Sequence, residues 1–205
     1  MSVTMIERST ALIAGNIEAL DAIRDDDISI ALWERELPTG LSKLNLDNIA
    51  DIRFTAAVDE LHGVLADALD DAGHKKGPQR NALRSDIVTL ATRFADLMKT
   101  GLVEIRLEHV TTNACRKFHA DYVTARLITT YSGQGTQWIN GDDAADCGCG
   151  EPHNIQQMGT GDVALFKGRL WSSHAPAIHR SPPIEGTGEE RLMLVINPMQ
   201  LADNP

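Results

Sequence analysis

The sequence predicts an α+β protein, a helical N-terminal half packed on a C-terminal antiparallel β-barrel. Three observations predict it. The hydrophobic period is near 3.6 residues across roughly 49–97, it switches to two at Val103, and short turn-forming segments then recur at fairly even spacing.

The elements come in this order. Ile28 to Leu32 reads as a short strand leading into Trp33. Ile49, Ile52, Val58, Leu61, Val64, Leu65 and Leu69 approximate one helical stripe. Gly73 and Gly77 bracket a turn, and Pro78 starts a second helix with Leu83, Ile87, Leu90, Phe94 and Leu97 on one face. Gly101 is expected to close that helix. Val103, Ile105, Leu107 and His109 then alternate with Glu104, Arg106 and Glu108, as in a half-buried strand. Further strands are expected at 117–123, 125–131, 136–140, 162–167, 174–179 and 191–197. They are separated by Gly-, Asn-, Asp- and Pro-rich turns such as 132–135, 140–142 and 159–162. The division is thus 1–101, mainly helical, and 102–205, the β region, joined as one unit.

Composition narrows the function. The chain has 205 residues and a formal charge of −10 at pH 7. Neither half is basic, which argues against nucleic acid as the main partner, because phosphate binding needs a positive surface. No apolar run approaches the ~20 residues of a membrane span. Met1 to Leu20 lacks a basic start and carries Glu7 and Glu18, unlike a secretory signal. Three cysteines make no disulfide framework. The expectation is a cytoplasmic protein acting on a small molecule or a metal ion, with its oligomeric state open.

Five of the seven histidines lie in the second half. The sharpest local feature is Phe118-His119-Ala120-Asp121. On a strand, His119 and Asp121 face the same way and offer a nitrogen and a carboxylate oxygen together. His-x-Asp pairs also arise by chance at this composition, so the pattern gains weight only from residues further along the chain. His179, in Pro176-Ala177-Ile178-His179-Arg180-Ser181-Pro182, is available as a third ligand. His174 rivals it, but five residues apart on a strand the two face opposite ways. Twelve residues past His179, Arg191 shares a strand face with Met193 and Val195. A guanidinium aimed into a barrel needs an anion, and a carboxylate meets it bidentately. The plainer alternatives are a surface His–Asp hydrogen bond, a turn histidine, and an Arg191 paired with Glu189 or Glu190.

The order His119-x-Asp121, Gly161-Asp162-x-x-x-Phe166, His179 and Arg191 resembles the Fe(II)/2-oxoglutarate-dependent oxygenases, in particular their phytanoyl-CoA-hydroxylase-like branch. That resemblance covers about 103–197. It implies a double-stranded β-helix (a jelly-roll, cupin-like barrel), Fe(II) held by His119, Asp121 and His179, and 2-oxoglutarate held by Arg191. Arg126, Thr130 or Tyr131 would support the cosubstrate. Most of the chain is closer still to a bacterial family of unknown function, through Trp33-Glu34-Arg35-Glu36-Leu37, Phe118 to Trp138 and Ala177 to Pro182. The resemblance to that family also brings an association with zinc-homeostasis gene sets.

Cys147-Gly148-Cys149, with His153 nearby, is a second candidate cluster of soft metal ligands, although a full zinc site normally shows two paired elements. Its plain reading is a Gly-rich loop with reduced thiols. Two further functions therefore stand beside the hydroxylase. One is a zinc-binding or metal-homeostasis protein on the same barrel without turnover. The other is a cupin-like enzyme without 2-oxoglutarate, which Asp121 and Arg191 disfavour.

Overall fold

The structure is a computed structural model and describes residues 10–42, 44–113, 115–140, 151–171 and 176–199. Among the described residues, ten strands, a 3-10 helix and two α-helices follow one another. The chain begins with β1 (Ala11–Ala14), the 3-10 helix (Ile17–Arg24), β2 (Ile30–Trp33) and β3 (Ile52–Ala57). Helices α1 (Leu61–Asp71) and α2 (Pro78–Met98) come next. The remainder is β4 (Leu102–Val110), β5 (Ala125–Ser132), β6 (Gln137–Ile139), β7 (Gln156–Gln157), β8 (Val163–Lys167), β9 (Ile178–Arg180) and β10 (Arg191–Met199).

Seven strands form one mixed sheet in the order β1-β2-β8-β5-β10-β4-β3, and three form a smaller sheet, β7-β6-β9. β10 lies between β5 and β4, antiparallel to both. Its alternation builds two cores. Leu192, Leu194 and Ile196 join the larger core, which also takes Leu61, Leu65 and Leu69 of α1 and Leu83, Ile87, Leu90 and Phe94 of α2. Met193 and Val195 face the other way. They pack with Ile128, Phe166 and, from the small sheet, Trp138 in a second core between the two sheets. The arrangement is jelly-roll-like. The metal-site candidates lie at one end of this inter-sheet space. Among the described residues no helix is long and apolar enough to cross a membrane.

The N-terminal half is less helical than its pattern predicts. Ile52–Ala57, read from its spacing as the start of a helical stripe, is strand β3 and hydrogen-bonds to β4. β1 is also a strand, parallel to β2. Both sit at the outer edges of the large sheet, where one-sided burial over four to six residues fits either period. Helix α2 starts at Pro78, and its Pro tolerates the first turn, where the missing N–H has no intrahelical partner anyway. Lys99 rather than Gly101 takes the left-handed position that ends it, with φ 52°. The segment expected as a strand at 117–123 makes only one bridge, at His119. Of the expected strand 174–179, residues 174 and 175 lie outside the described residues, and β9 begins at Ile178.

Candidate metal centre

His119 and His179 meet as a hydrogen-bonded antiparallel pair: each amide donates to the other's carbonyl at 3.0 Å. Residues directly opposite in such a pair project to the same side, so a single bridge brings two imidazoles together from 60 residues apart in sequence. Their ring centroids are 4.9 Å apart. Asp121, two residues on, turns its carboxylate between them. Its Oδ1 is 3.5 Å from His119 Nε2 and its Oδ2 is 3.2 Å from His179 Nε2. One ligand atom from each of the three residues lies within 4.8 Å of the others.

The imidazoles are prepared for a cation. His119 Nδ1 is 2.8 Å from the carbonyl oxygen of Lys117. A carbonyl only accepts, so Nδ1 carries a proton, and Nε2, which donates to Asp121 here, is the atom that would give its lone pair to a metal once its proton is lost. His179 Nδ1 faces the Ala177 carbonyl in the same sense at 3.5 Å. His179 is buried against the Phe166 ring. The hydrogen bond with Asp121 raises the His119 pKa, against the opposing effect of burial. Burial pushes the Asp121 carboxyl up, but His119, His179 and Arg126 together hold it well below the usual carboxylate range.

The loop carrying Asp121 is clamped from behind. The Gly168, Arg169 and Leu170 amides donate to the carbonyls of Thr124, Asp121 and Val123 at 2.8, 2.9 and 3.1 Å. A side chain at Gly168 would collide with the Val123 carbonyl oxygen, so glycine is what lets the two backbones approach.

A cleft of about 100 Å³ opens on the triad. Arg126, Ile128, Met193 and Val195 from the barrel-facing sides of β5 and β10 line it, with Arg106 and Glu108 of β4. Arg126 Nη1 is 2.7 Å from Asp121 Oδ2, and its Nε donates to Asn197 at 2.9 Å. The sequence places Arg126 near the site, but nothing in it signals this direct pairing with a candidate ligand.

Further along the same faces lies Arg191. It is wholly buried. Its Nε donates to the Gln134 carbonyl at 2.6 Å and its Nη2 lies 3.4 Å from Thr130 Oγ1. Nη1 is buried without a hydrogen-bond partner, and among the described residues no carboxylate pairs with the guanidinium. Burial pulls its pKa down to about 10. Glu190 instead meets His109, and Glu189 meets Gln134. Gly133, with φ 79°, allows the turn after β5 to run against Arg191, since a Cβ there would stand 2.9 Å from Arg191 Cγ.

Tyr131 is placed elsewhere. It follows Thr130 on the strand and so faces the helices, where its hydroxyl donates to Asp86 Oδ2 of α2 at 2.7 Å. Arg35 completes that cluster, bidentate to Asp86 at 2.7 and 2.8 Å and stacked 4.9 Å from the Trp33 ring. This explains part of the Trp33 to Leu37 signature as a structural bolt between β2, α2 and β5. Of the second candidate cluster, Cys147 and Cys149 lie outside the described residues, as does His174. His153 is exposed and does not join the triad.

The residues fit a divalent metal: two imidazole nitrogens converging on one carboxylate that is held ionised, and a buried cation nearby in want of an anion. Solved structures agree on the fold. The chain is similar to the dioxygenase for auxin oxidation 1 from Arabidopsis thaliana, whose structure is a 2-oxoglutarate binary complex. The identity is 10%, the TM-score is 0.52, and 95% of this chain and 93% of that one are covered. It is also similar to a protein described as a "Putative oxygenase from Shewanella oneidensis", at 10% identity and TM-score 0.50, covering 91% and 88%. At these identities the likeness shows the fold, which is oxygenase-like. No curated protein matches the sequence. Residues 14–197 match the family described as "Protein of unknown function (DUF1826)", and the chain belongs to that family.

Proposed function

We propose that this protein is an Fe(II)/2-oxoglutarate-dependent hydroxylase of a small substrate, with His119, Asp121 and His179 as metal ligands and Arg191 as the anchor of the cosubstrate's distal carboxylate. The observation that carries the reading is Arg191. A buried guanidinium with an unsatisfied Nη1 and no acidic partner among the described residues is costly unless an anion completes it. Thr130 Oγ1 stands beside Nη2 as a second donor to such an anion. Met193 pairs with Thr130 across β10 and β5, and Val195 pairs with Ile128, so the anion site sits about two residues, roughly 7 Å, beyond the cleft wall. A short dicarboxylate spans that interval.

In such an enzyme the metal supplies oxygen activation. The chain supplies the rest. The bridge between His119 and His179 fixes both imidazoles, and the Lys117 carbonyl fixes the tautomer of His119. Arg126 keeps Asp121 ionised and oriented, and Ile128, Met193 and Val195 make a wall from which water is excluded. The test is anaerobic addition of 2-oxoglutarate to the Fe(II)-loaded protein, followed by air. A visible charge-transfer band and succinate release support the proposal. Absence of both, with iron bound at one equivalent, overturns it.

A second reading is a zinc-binding protein on the same barrel, with no turnover. The donor set supports it, because two imidazoles and a carboxylate also suit zinc. Metal analysis of protein purified without added metal separates the two. One equivalent of zinc that depends on Cys147 and Cys149 favours this reading.

A further inference from the structure

A second, larger cavity of about 450 Å³ adjoins the metal cleft. The two share Arg180, the neighbour of His179. Its walls are Phe118, Pro152 and Pro183, and its rim carries Arg116, Lys117 and Glu151. The charges are not balanced. Glu151 is taken up by Arg180, whose Nη1 lies 2.9 Å from its Oε1. Arg180 also donates to Gln137 at 2.8 Å and stacks 4.3 Å from the Phe118 ring. Arg116 and Lys117 are exposed and have no acidic partner among the described residues. Among the described residues, two adjacent cations without an acidic partner therefore stand beside Phe118, Pro152 and Pro183, on a chain whose formal charge is −10. They precede His119 by three and two residues, and the Lys117 carbonyl holds the His119 ring.

We infer that this groove is the substrate-binding site and that its substrate is a small anion with an apolar body, the acid group held by Arg116 and Lys117 and the body lying on Phe118, Pro152 and Pro183. Its role as a substrate site rests on the metal-dependent reading under Proposed function, whereas the groove itself is defined without a metal. In a net acidic protein, general electrostatics repels anions, so a local cationic rim is what selects them. The planar Arg116 guanidinium suits a carboxylate or a phosphate bidentately, and Lys117 adds a point charge. Phe118 and the two prolines offer rigid apolar surface that loses little entropy on binding.

The probes are phenyl phosphate and phenylacetate, with benzyl alcohol as the neutral counterpart, titrated into metal-free full-length protein and followed by calorimetry. Both anions should bind saturably and benzyl alcohol at least about tenfold more weakly. Which anion binds tighter tells phosphate from carboxylate substrates. The double variant Arg116→Ala/Lys117→Ala should lose about tenfold in anion affinity, and Lys117→Glu should also weaken it. Both rim residues are exposed, so the variants should fold. With Mn²⁺ added, proton relaxation of the bound probe should be enhanced, because the groove adjoins the triad. Equal binding of the neutral probe, or full anion affinity in the double variant, would overturn the inference. Failure of Mn²⁺ to bind at all would instead remove the metal reading and leave the groove measurement standing.

Discussion

Arg126 Nη1 lies 2.7 Å from Asp121 Oδ2, so a candidate metal ligand already has a cationic partner inside the protein. Both side chains are largely buried, at 16% and 12% exposure, and Asn197 fixes the other edge of the guanidinium. A buried carboxylate between two imidazoles needs this countercharge when no metal supplies it. Arg126→Gln should therefore destabilise the metal-free protein by about 2–4 kcal/mol. Saturating Zn²⁺ should restore most of that loss, since the ion replaces the missing charge. Urea unfolding with and without Zn²⁺ measures both. An equal loss in the two conditions would show that Arg126 serves packing and not the ligand.

Arg191 is the opposite case, a buried cation with no partner among the described residues. Its charged form is disfavoured by burial, with the pKa pulled down to about 10. A depressed base makes folding harder wherever it is protonated, so this cost is present throughout the neutral range and is relieved as pH rises through about 10. Arg191→Met removes the charge and keeps volume. It should leave stability within about 1 kcal/mol of the wild type, or raise it, despite the lost bond to Gln134. The same variant should no longer be stabilised by added 2-oxoglutarate. Thermal unfolding with and without 2-oxoglutarate checks both halves of the prediction.

Gly168 offers a test of how the Asp121 loop is held. A Cβ there would strike the Val123 carbonyl and stand 3.0 Å from the Asp121 carbonyl. Gly168→Ala should cost about 1–3 kcal/mol through the forced backbone shift. It should also weaken Mn²⁺ binding by roughly 10–100-fold, the range seen when the support of a ligand is disturbed. Calorimetric titration of Mn²⁺ would decide it, and unchanged affinity would show that the loop moves without the carboxylate.

The Tyr131–Asp86–Arg35 cluster should govern stability and leave the metal centre alone. Burial and the adjacent Asp86 raise the Tyr131 phenol well above its ordinary pKa of 10. The folded state thus holds this proton more tightly than the unfolded one. The stabilisation is complete below pH 10 and is lost as pH rises beyond it. Tyr131→Phe should cost about 1–2 kcal/mol at neutral pH and lessen the alkaline sensitivity. Asp86→Ala should cost more, about 3–5 kcal/mol, because Arg35 is left buried without a partner. Metal affinity should be unchanged in Tyr131→Phe. A change would mean that the two faces of β5 are coupled.

The alternation rule already separates Thr130 from Tyr131, since neighbours on a strand face opposite ways. Both are candidates in the sequence because strand boundaries alone do not say which face is the barrel. β10 settles it, by sending Leu192 and Leu194 to the helices and Arg191, Met193 and Val195 to the inter-sheet space. Ile52–Ala57 shows the reverse difficulty. Six residues with one buried face carry too little periodicity to distinguish a strand end from a helix start. The pairing of Arg126 with Asp121 is not legible either, because five residues along the chain they lie on separate elements, a loop and β5, and only the fold of the loop brings them together.

By itself the sequence determined the switch from helical to strand periodicity near residue 101, the ligand types at His119, Asp121 and His179, and an arginine in a barrel-facing row. Those are local properties, set by residue chemistry and by periods of 3.6 and two. Tertiary structure decided that one backbone bridge joins His119 to His179, that Arg126 neutralises Asp121, and that Arg191 has no carboxylate to meet among the described residues. Each of these depends on groups from different strands and loops sharing one buried space, and the energy of a buried charge is fixed by what surrounds it there.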